Sequence, residues 1–320
     1  MRRDEPTSYS RRDFGKLVLA GLPLTLVFKG LDSKINGVQI GSITYSFRTI
    51  PDAEEIVKAY QKLGLSEVEL MSNHAEALAG APASGGPGGG GRRGEQTPEQ
   101  QEAARKAAQA RAEELRKWRS SVSMDKFKDV RKEWNDAGVD VRLLTFNMNV
   151  NSTKDEEIEY AFQMAKALGV KAITTSTQVS MAKRVAPFAD KHKLMVGFHG
   201  HDQTERPDEV STEETFKTVM AASKYIGANL DIGHYTAANG DPIAFIQKYH
   251  DRITNLHLKD RKKNHGENVP WGQGDTPIKE VLQLLKKNRY DFPGNIEFEY
   301  GGDPVVEVGK CLEYCRQALA

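Results

Sequence analysis

The chain has 320 residues, with 45 basic and 44 acidic side chains; its formal charge of +1 supplies no broad cationic field for nucleic acid or an anionic membrane. A hydrophobic content of 38% beside 28% charged residues suits a soluble globular protein with a sizeable core. Two cysteines, Cys311 and Cys315, make neither a disulfide framework nor a complete metal motif, and their spacing puts both thiols on one face of a last amphipathic helix.

Residues 1–36 read as an export segment. Ser10-Arg11-Arg12-Asp13-Phe14-Gly15-Lys16 precedes an apolar run from Leu17 to Phe28, and a basic flank before a short apolar core is the plan of a secretory signal. The segment resembles a twin-arginine signal, matching Ser-Arg-Arg-x-Phe-x-Lys at each fixed position. The run carries Gly21 and Pro23 and is short for a membrane span. The expectation is therefore a periplasmic or otherwise exported protein with no stable membrane span after export. A buried or interfacial helix is the alternative, and no clean small-x-small cleavage site follows.

Residues 37–320 show a repeating rhythm. Gly37 to Ile43 reads as a first strand. Pro51 and Asp52 then start a helix, with Asp52 and Glu55 spaced as a capping box and Ala53, Ile56, Val57, Tyr60 and Leu63 at helical intervals. Leu63-Gly64-Leu65, Ala137-Gly138-Val139, Leu168-Gly169-Val170 and Ile226-Gly227-Ala228 each read as a helix stopped by glycine before a new strand. Predicted strands cover 38–44, 67–71, 140–146, 171–175, 194–199, 228–232, 253–258 and 295–300. Strands alternating with helices in this way predict an α/β protein, a (β/α)8 TIM barrel. A doubly wound open sheet is weaker, because no glycine-rich phosphate fingerprint follows the first strand.

Residues 80–118 interrupt the rhythm after the second strand. Gly80 to Gly94 is almost wholly Gly, Ala, Pro, Ser and Arg, a composition that packs no core. Pro98 to Trp118 is rich in Ala, Gln, Glu and Arg and predicts a helix. The segment reads as an insertion beside the barrel mouth, either a lid whose Arg92 and Arg93 touch a ligand or a solvated surface tip.

In a barrel of this type the C-terminal strand ends carry the site. Polar residues concentrate there: Glu69, then His199, His201 and Asp202, then Asp231 and His234, then His257, Lys259 and Asp260, then Glu297 and Glu299. Two imidazoles with two carboxylates suit a divalent ion such as Mn, Zn, Co or Fe(II). Any one of these histidines alone reads more simply as a hydrogen-bonded core or surface residue. Their joint placement favours a metal site.

Leu230-Asp231-Ile232-Gly233-His234 and Leu256-His257-Leu258-Lys259-Asp260 resemble the xylose isomerase-like barrel superfamily of sugar epimerases, inosose dehydratases and apurinic endonucleases. The resemblance covers roughly residues 37–318, with specific motifs only in strands five to eight. It implies Asp231 and His257 as metal ligands, with Glu299 or Glu297 beside them, and Glu299 is preferred as nearer the strand end. His199 takes the fourth place, with His201 as its rival; sugar epimerases of the superfamily carry a glutamate there, whereas Phe198-His199-Gly200-His201-Asp202 is similar to a dehydratase-like branch. The resemblance implies His234 as a contact to substrate or metal and Arg261, in the loop that carries Trp271, as a substrate contact. Glu69 at the end of strand two and Trp271 itself are further candidate substrate contacts, and Arg261-Lys262-Lys263 also reads as a solvated loop.

The expected chemistry is removal of a proton α to a sugar carbonyl, with His201 and Glu205 as candidate bases. Its outcome is isomerisation or epimerisation of a free sugar or keto-sugar. The alternative is β-elimination from a keto-glycoside or inosose, and a further alternative is a non-catalytic exported sugar-binding protein. The expected partners are a small carbohydrate, not nucleic acid, and, as an option, further copies of the chain in a homo-oligomer.

Overall fold

The structure, a computed structural model, describes residues 31–82 and 97–320. Residues 1–30 of the expected export segment and the pair Arg92 and Arg93 lie outside the described residues, whereas residues 31–36, counted with that segment in the sequence reading, lead into the barrel. Parallel strands β1 (Val38–Ile43), β2 (Glu67–Met71), β3 (Asp140–Thr145), β4 (Ala172–Thr175), β5 (Met195–His199), β6 (Ile226–Asp231), β7 (Ile253–Leu258) and β8 (Gly294–Ile296) pair in sequence order. The sheet closes through β1 and β8, with Ile40 opposite Gly294 and Ser42 opposite Ile296. This is the expected (β/α)8 barrel. A two-residue strand, Lys34–Ile35, turns through Asn36 and Gly37 and pairs antiparallel with β1; both turn residues have positive φ, at 47° and 93°, as a tight hairpin requires.

Eleven α-helices occupy the connections among the described residues: α1 (Ala53–Leu63), α2 (Ser72–Leu78), α3 (Pro98–Ser121), α4 (Asp125–Asp136), α5 (Asp155–Leu168), α6 (Ala182–His192), α7 (Glu213–Met220), α8 (Ile232–Ala237), α9 (Pro242–Tyr249), α10 (Ile278–Asn288) and α11 (Pro304–Leu319). Gly64 and Gly169 end α1 and α5 in the left-handed conformation, at φ 75° and 66°, as their position in the sequence predicts. Asp52 caps α1 by accepting from Glu54 N, while Glu55 binds Lys58 instead of closing a capping box. Ile226-Gly227 corrects another expectation: α7 stops at Met220, and Gly227 lies inside β6. A side chain there would strike the Arg252 carbonyl, so this glycine permits close backbone approach and stops no helix.

The apolar core fills the ring between barrel and helices. Val68 and Leu70 point outward from β2 to join Tyr60, Phe127 and Trp134, all essentially inaccessible to solvent. Each such large side chain contributes roughly 1.5–3 kcal/mol by burial. Cys311 and Cys315 belong to this layer, on α11. Alternation along the same strand sends Glu67 and Glu69 inward, so the barrel axis is polar.

Helix α3 of the insertion is tied down at its C-terminal end. Arg119 binds Glu76 of α2 through Nε at 2.7 Å and Glu157 of α5 through Nη1 at 3.0 Å, and its guanidinium lies over the rings of Phe146 and Tyr160. None of the described helices is long and apolar enough to cross a membrane.

Candidate metal centre

The strand register delivers four donors to one place. Asp231 at the end of β6 stands directly opposite His257 of β7, and His257 opposite Asn295 of β8. One donor atom from each of His199, Asp231, His257 and Glu297 lies within 4.8 Å of the others, and all four residues are buried. The chain itself aims Asp231. Its Oδ1 caps α8 by accepting from His234 N at 2.7 Å, which leaves Oδ2 to the site. Gly233 allows that sharp exit, because a Cβ there would sit 2.8 Å from the Lys259 carbonyl oxygen.

These donors fit a divalent ion. Asp231 Oδ2 and His199 Nδ1 are buried with no hydrogen-bond partner among the described residues, although buried polar atoms are rarely left so. Lys259 Nζ lies 3.1 Å from Asp231 Oδ2, but out of hydrogen-bond alignment. Burial, with His257 and His201 alongside, holds His199 well below the usual histidine range, in the neutral form that coordinates metals. Two imidazoles and two carboxylates suit Zn, Mn or Co.

Below this cluster the barrel interior is a hydrogen-bonded layer centred on Glu69, which is wholly buried. Its carboxylate accepts from Thr145 and Thr174 and from the amides of Asn255 and Asn295, and it meets His257 Nε2 at 2.8 Å. The other nitrogen of His257, Nδ1, lies 3.0 Å from Glu297 Oε2. Burial alone would depress His257, but the two flanking carboxylates, Glu69 before Glu297, raise it well above the usual range.

A cavity of about 310 Å³ opens at the cluster and is lined by His199, His257 and Glu297 together with Ser176, His201 and His234. That is the small end of the range of ligand pockets. Four histidine rings crowd its wall: His199 lies 4.9 Å from His201, 5.9 Å from His234 and 4.8 Å from His257, centre to centre. His201 is held on both sides, with Nδ1 2.6 Å from Glu209 Oε1 and Nε2 3.2 Å from Ser176 Oγ. His234 is backed by Asp202 and Arg261, with Nδ1 2.5 Å from Arg261 Nη1. Lys259 Nζ lies 2.9 Å from Glu297 and 2.5 Å from Glu299. Burial opposes its charge, yet Asp231, Glu297 and Glu299 hold the ammonium well above its ordinary range.

The structure brings His199, His201, Asp231, His234 and His257 together as the sequence pattern suggests. Four other expectations need correction. Glu297, not Glu299, carries the donor near the cluster: sheet pairing of β8 ends at Ile296, so Glu297 is the first residue past it, while Glu299 lines the cavity farther out and pairs with Lys259. Glu205 is 68% exposed and outside the cavity; the loop folds back through His201 N to Val210 O at 2.8 Å, which brings Glu209 to His201 instead. Trp271 packs edge-on against Tyr314, away from the cavity, because Asp260 gathers the amides of Gly272 and Gly274 and curls that loop outward. Glu69 lies too deep to touch a substrate.

Arg261 stands behind His234, bound to Asp202 and the Gly266 carbonyl. Lys259 stands in the sequence reading as a rim residue without an assigned role, and Ser176, just past the end of β4, was within reach of the same reasoning. Glu209 had no such signal; it lies in a loop without periodicity.

A sequence model of the xylose isomerase-like TIM barrel family matches residues 102–317. A stretch of 92 residues is 32% identical to the L-ribulose-5-phosphate 3-epimerase UlaE of Escherichia coli, spanning 28% of this chain and 32% of that protein, so under a third of the relative's length is matched. Among solved structures, the fold is similar to the "probable 3-DHS dehydratase AsbF" of Bacillus anthracis, with TM-score 0.60 and 14% identity over 86% of this chain and 97% of the other. It is also similar to a sugar phosphate isomerase/epimerase of Parabacteroides distasonis, with TM-score 0.58 and 16% identity over 88% and 95%. A third is the IOLI protein with a binding zinc atom, at TM-score 0.57 and 13% identity over 88% and 96%. The chain belongs to the xylose isomerase-like TIM barrel family.

Proposed function

From membership of that family, we propose that the protein is a divalent-metal-dependent enzyme that moves a proton α to the carbonyl of a small polyhydroxylated substrate, acting as an isomerase or epimerase of a free sugar or keto-sugar. One observation carries this reading. Donors of His199, Asp231, His257 and Glu297 converge within 4.8 Å at a cavity whose wall also holds His201. When bound, the metal supplies Lewis acidity that draws charge from the carbonyl oxygen and acidifies the adjacent C–H. His201 is the base: Glu209 engages Nδ1 at 2.6 Å and so leaves Nε2 facing the cavity beside Ser176. His234, held by Asp202 and Arg261, orients substrate oxygens from the neighbouring wall. Glu209, absent from the sequence-based candidates, replaces Glu205 in this scheme.

A neutral sugar fits better than a sugar phosphate. Among the described residues that line the cavity, Lys259 is the lone Lys or Arg, and three carboxylates already engage it. The twin-arginine segment points the same way, since an exported enzyme meets few sugar phosphates.

A lyase outcome is the second reading. It is favoured by His199 at the end of β5, where the resemblance implies a glutamate serving as ligand and acid/base in epimerases; His201 with Glu209 then forms a single base, as one-sided elimination requires. Turnover of keto-sugars and keto-glycosides in D2O, with metal-reconstituted protein, tests both. Solvent deuterium entering the carbon next to the carbonyl, and ceasing with chelator, supports isomerisation or epimerisation. An unsaturated or cleaved product without such exchange supports the lyase. Tight sugar binding with no turnover in any metal form overturns both and leaves a binding protein.

A further inference from the structure

The residue least accounted for is the carboxylate at the centre of the barrel. Glu69 is fully buried, yet its oxygens are fully subscribed. Oε1 accepts from Thr145 Oγ1 at 3.0 Å and Thr174 Oγ1 at 2.5 Å, with the more distant Asn229 Nδ2 at 3.4 Å. Oε2 accepts from Asn255 Nδ2 and Asn295 Nδ2, each at 2.9 Å, and faces His257 Nε2 at 2.8 Å. These donors come from β3, β4, β6, β7 and β8, so one carboxylate of β2 ties together five other strands. A charge so deeply buried is retained only when hydrogen bonds satisfy it, and this one is satisfied on every side.

The consequence lies in His257. A carboxylate cannot donate, so the contact at 2.8 Å requires the hydrogen to sit on Nε2. Asn229 Nδ2 also lies 3.2 Å from Nε2 and 3.4 Å from Glu69 Oε1, but as a donor it cannot accept the imidazole hydrogen, which the closer Glu69 Oε2 at 2.8 Å takes. With Nε2 engaged inward, Nδ1 is the nitrogen presented to the cluster, 3.0 Å from Glu297 Oε2. A carboxylate that accepts the distal N–H of a ligating histidine fixes its tautomer and ring orientation and strengthens it as a donor.

We propose that Glu69 is the positioning residue of the metal centre: it locks His257 with Nε2–H pointing into the barrel, so that the metal is held through Nδ1. The asparagines and threonines around Glu69 form the frame that keeps it ionised and immobile. This rests on the metal-enzyme reading above, and the experiment separates the two.

Zinc affinity is measured by competition with a chromophoric chelator for the full-length protein and for Glu69→Gln, which keeps shape but removes the charged acceptor. Wild type is expected to hold zinc, and the variant about 10–100-fold more weakly. Wild type that holds no zinc overturns the metal reading and this proposal together. Equal affinity in both proteins overturns the role of Glu69 alone. A second measurement needs no variant at Glu69, in case that one does not fold. Wild-type protein labelled with 15N-histidine is loaded with 113Cd, and His257 is assigned by the signal lost in His257→Gln. Cadmium coupling at Nδ1, with a slowly exchanging Nε2–H, supports the proposal. Coupling at Nε2, or no protected imidazole proton, overturns it.

Discussion

Glu67 offers the sharpest quantitative test, because its environment sets both the sign and the size of an effect on stability. It opens β2 and points into the barrel one layer below Glu69, and neither of its carboxyl oxygens has a hydrogen-bond partner among the described residues. Burial pushes it from the ordinary 4.5 to about 8, against the pull of Arg142. A group whose folded value is raised holds its proton more tightly folded than unfolded. Its contribution is complete below about 4.5 and is lost as pH rises through about 8. The gap of about 3.5 pH units, at about 1.36 kcal/mol each, amounts to roughly 5 kcal/mol.

Glu67→Gln replaces the group with one that never ionises. The substitution keeps the side chain's shape, and neither oxygen of Glu67 has a hydrogen bond to lose among the described residues. Urea denaturation followed by circular dichroism at about pH 5, pH 7 and pH 9 reads the difference. Little separation is expected near pH 5, with the variant growing relatively more stable toward pH 9 by a few kcal/mol. A stability difference that does not change with pH would refute the reasoning, since Glu67 would then titrate alike folded and unfolded.

Other consequences follow from the same structure. Glu297→Gln should weaken zinc binding by more than the roughly 10–100-fold typical of a residue that only orients a ligand, and Glu299→Gln by less, as chelator competition reads. His201→Ala should lower kcat by about 10²–10⁴-fold, while Glu205→Ala, altered only on the surface, should leave it unchanged in the D2O exchange assay. Arg119→Ala leaves the charge of Glu76, whose side chain is 3% exposed, without its cationic partner and with the Tyr160 hydroxyl as its remaining donor, and should cost about 3 kcal/mol in urea unfolding.

The barrel was legible in the sequence because its signals are local. Glycines such as Gly64 and Gly169 stop helices by backbone conformation, whatever surrounds them, and alternation along a strand is fixed by the pleat. The same locality made Asp231 and His257 readable, since strand-end residues in a parallel barrel meet at one rim. Ile226-Gly227 shows the limit: a glycine required by the distant Arg252 backbone looks in sequence like a helix stop.

Within the site, tertiary structure decided what depends on register and on loop path. Glu297 and Glu299 share one face of the chain, and only the point where β8 leaves the sheet separates them. Glu209 rather than Glu205 reaches His201, because the loop closes on itself through Val210. Glu69 reads in sequence as one more rim carboxylate. Only the closed sheet shows that donors from five other strands surround it, because hydrogen bonds across a barrel are set by its closure and not by neighbours in the chain.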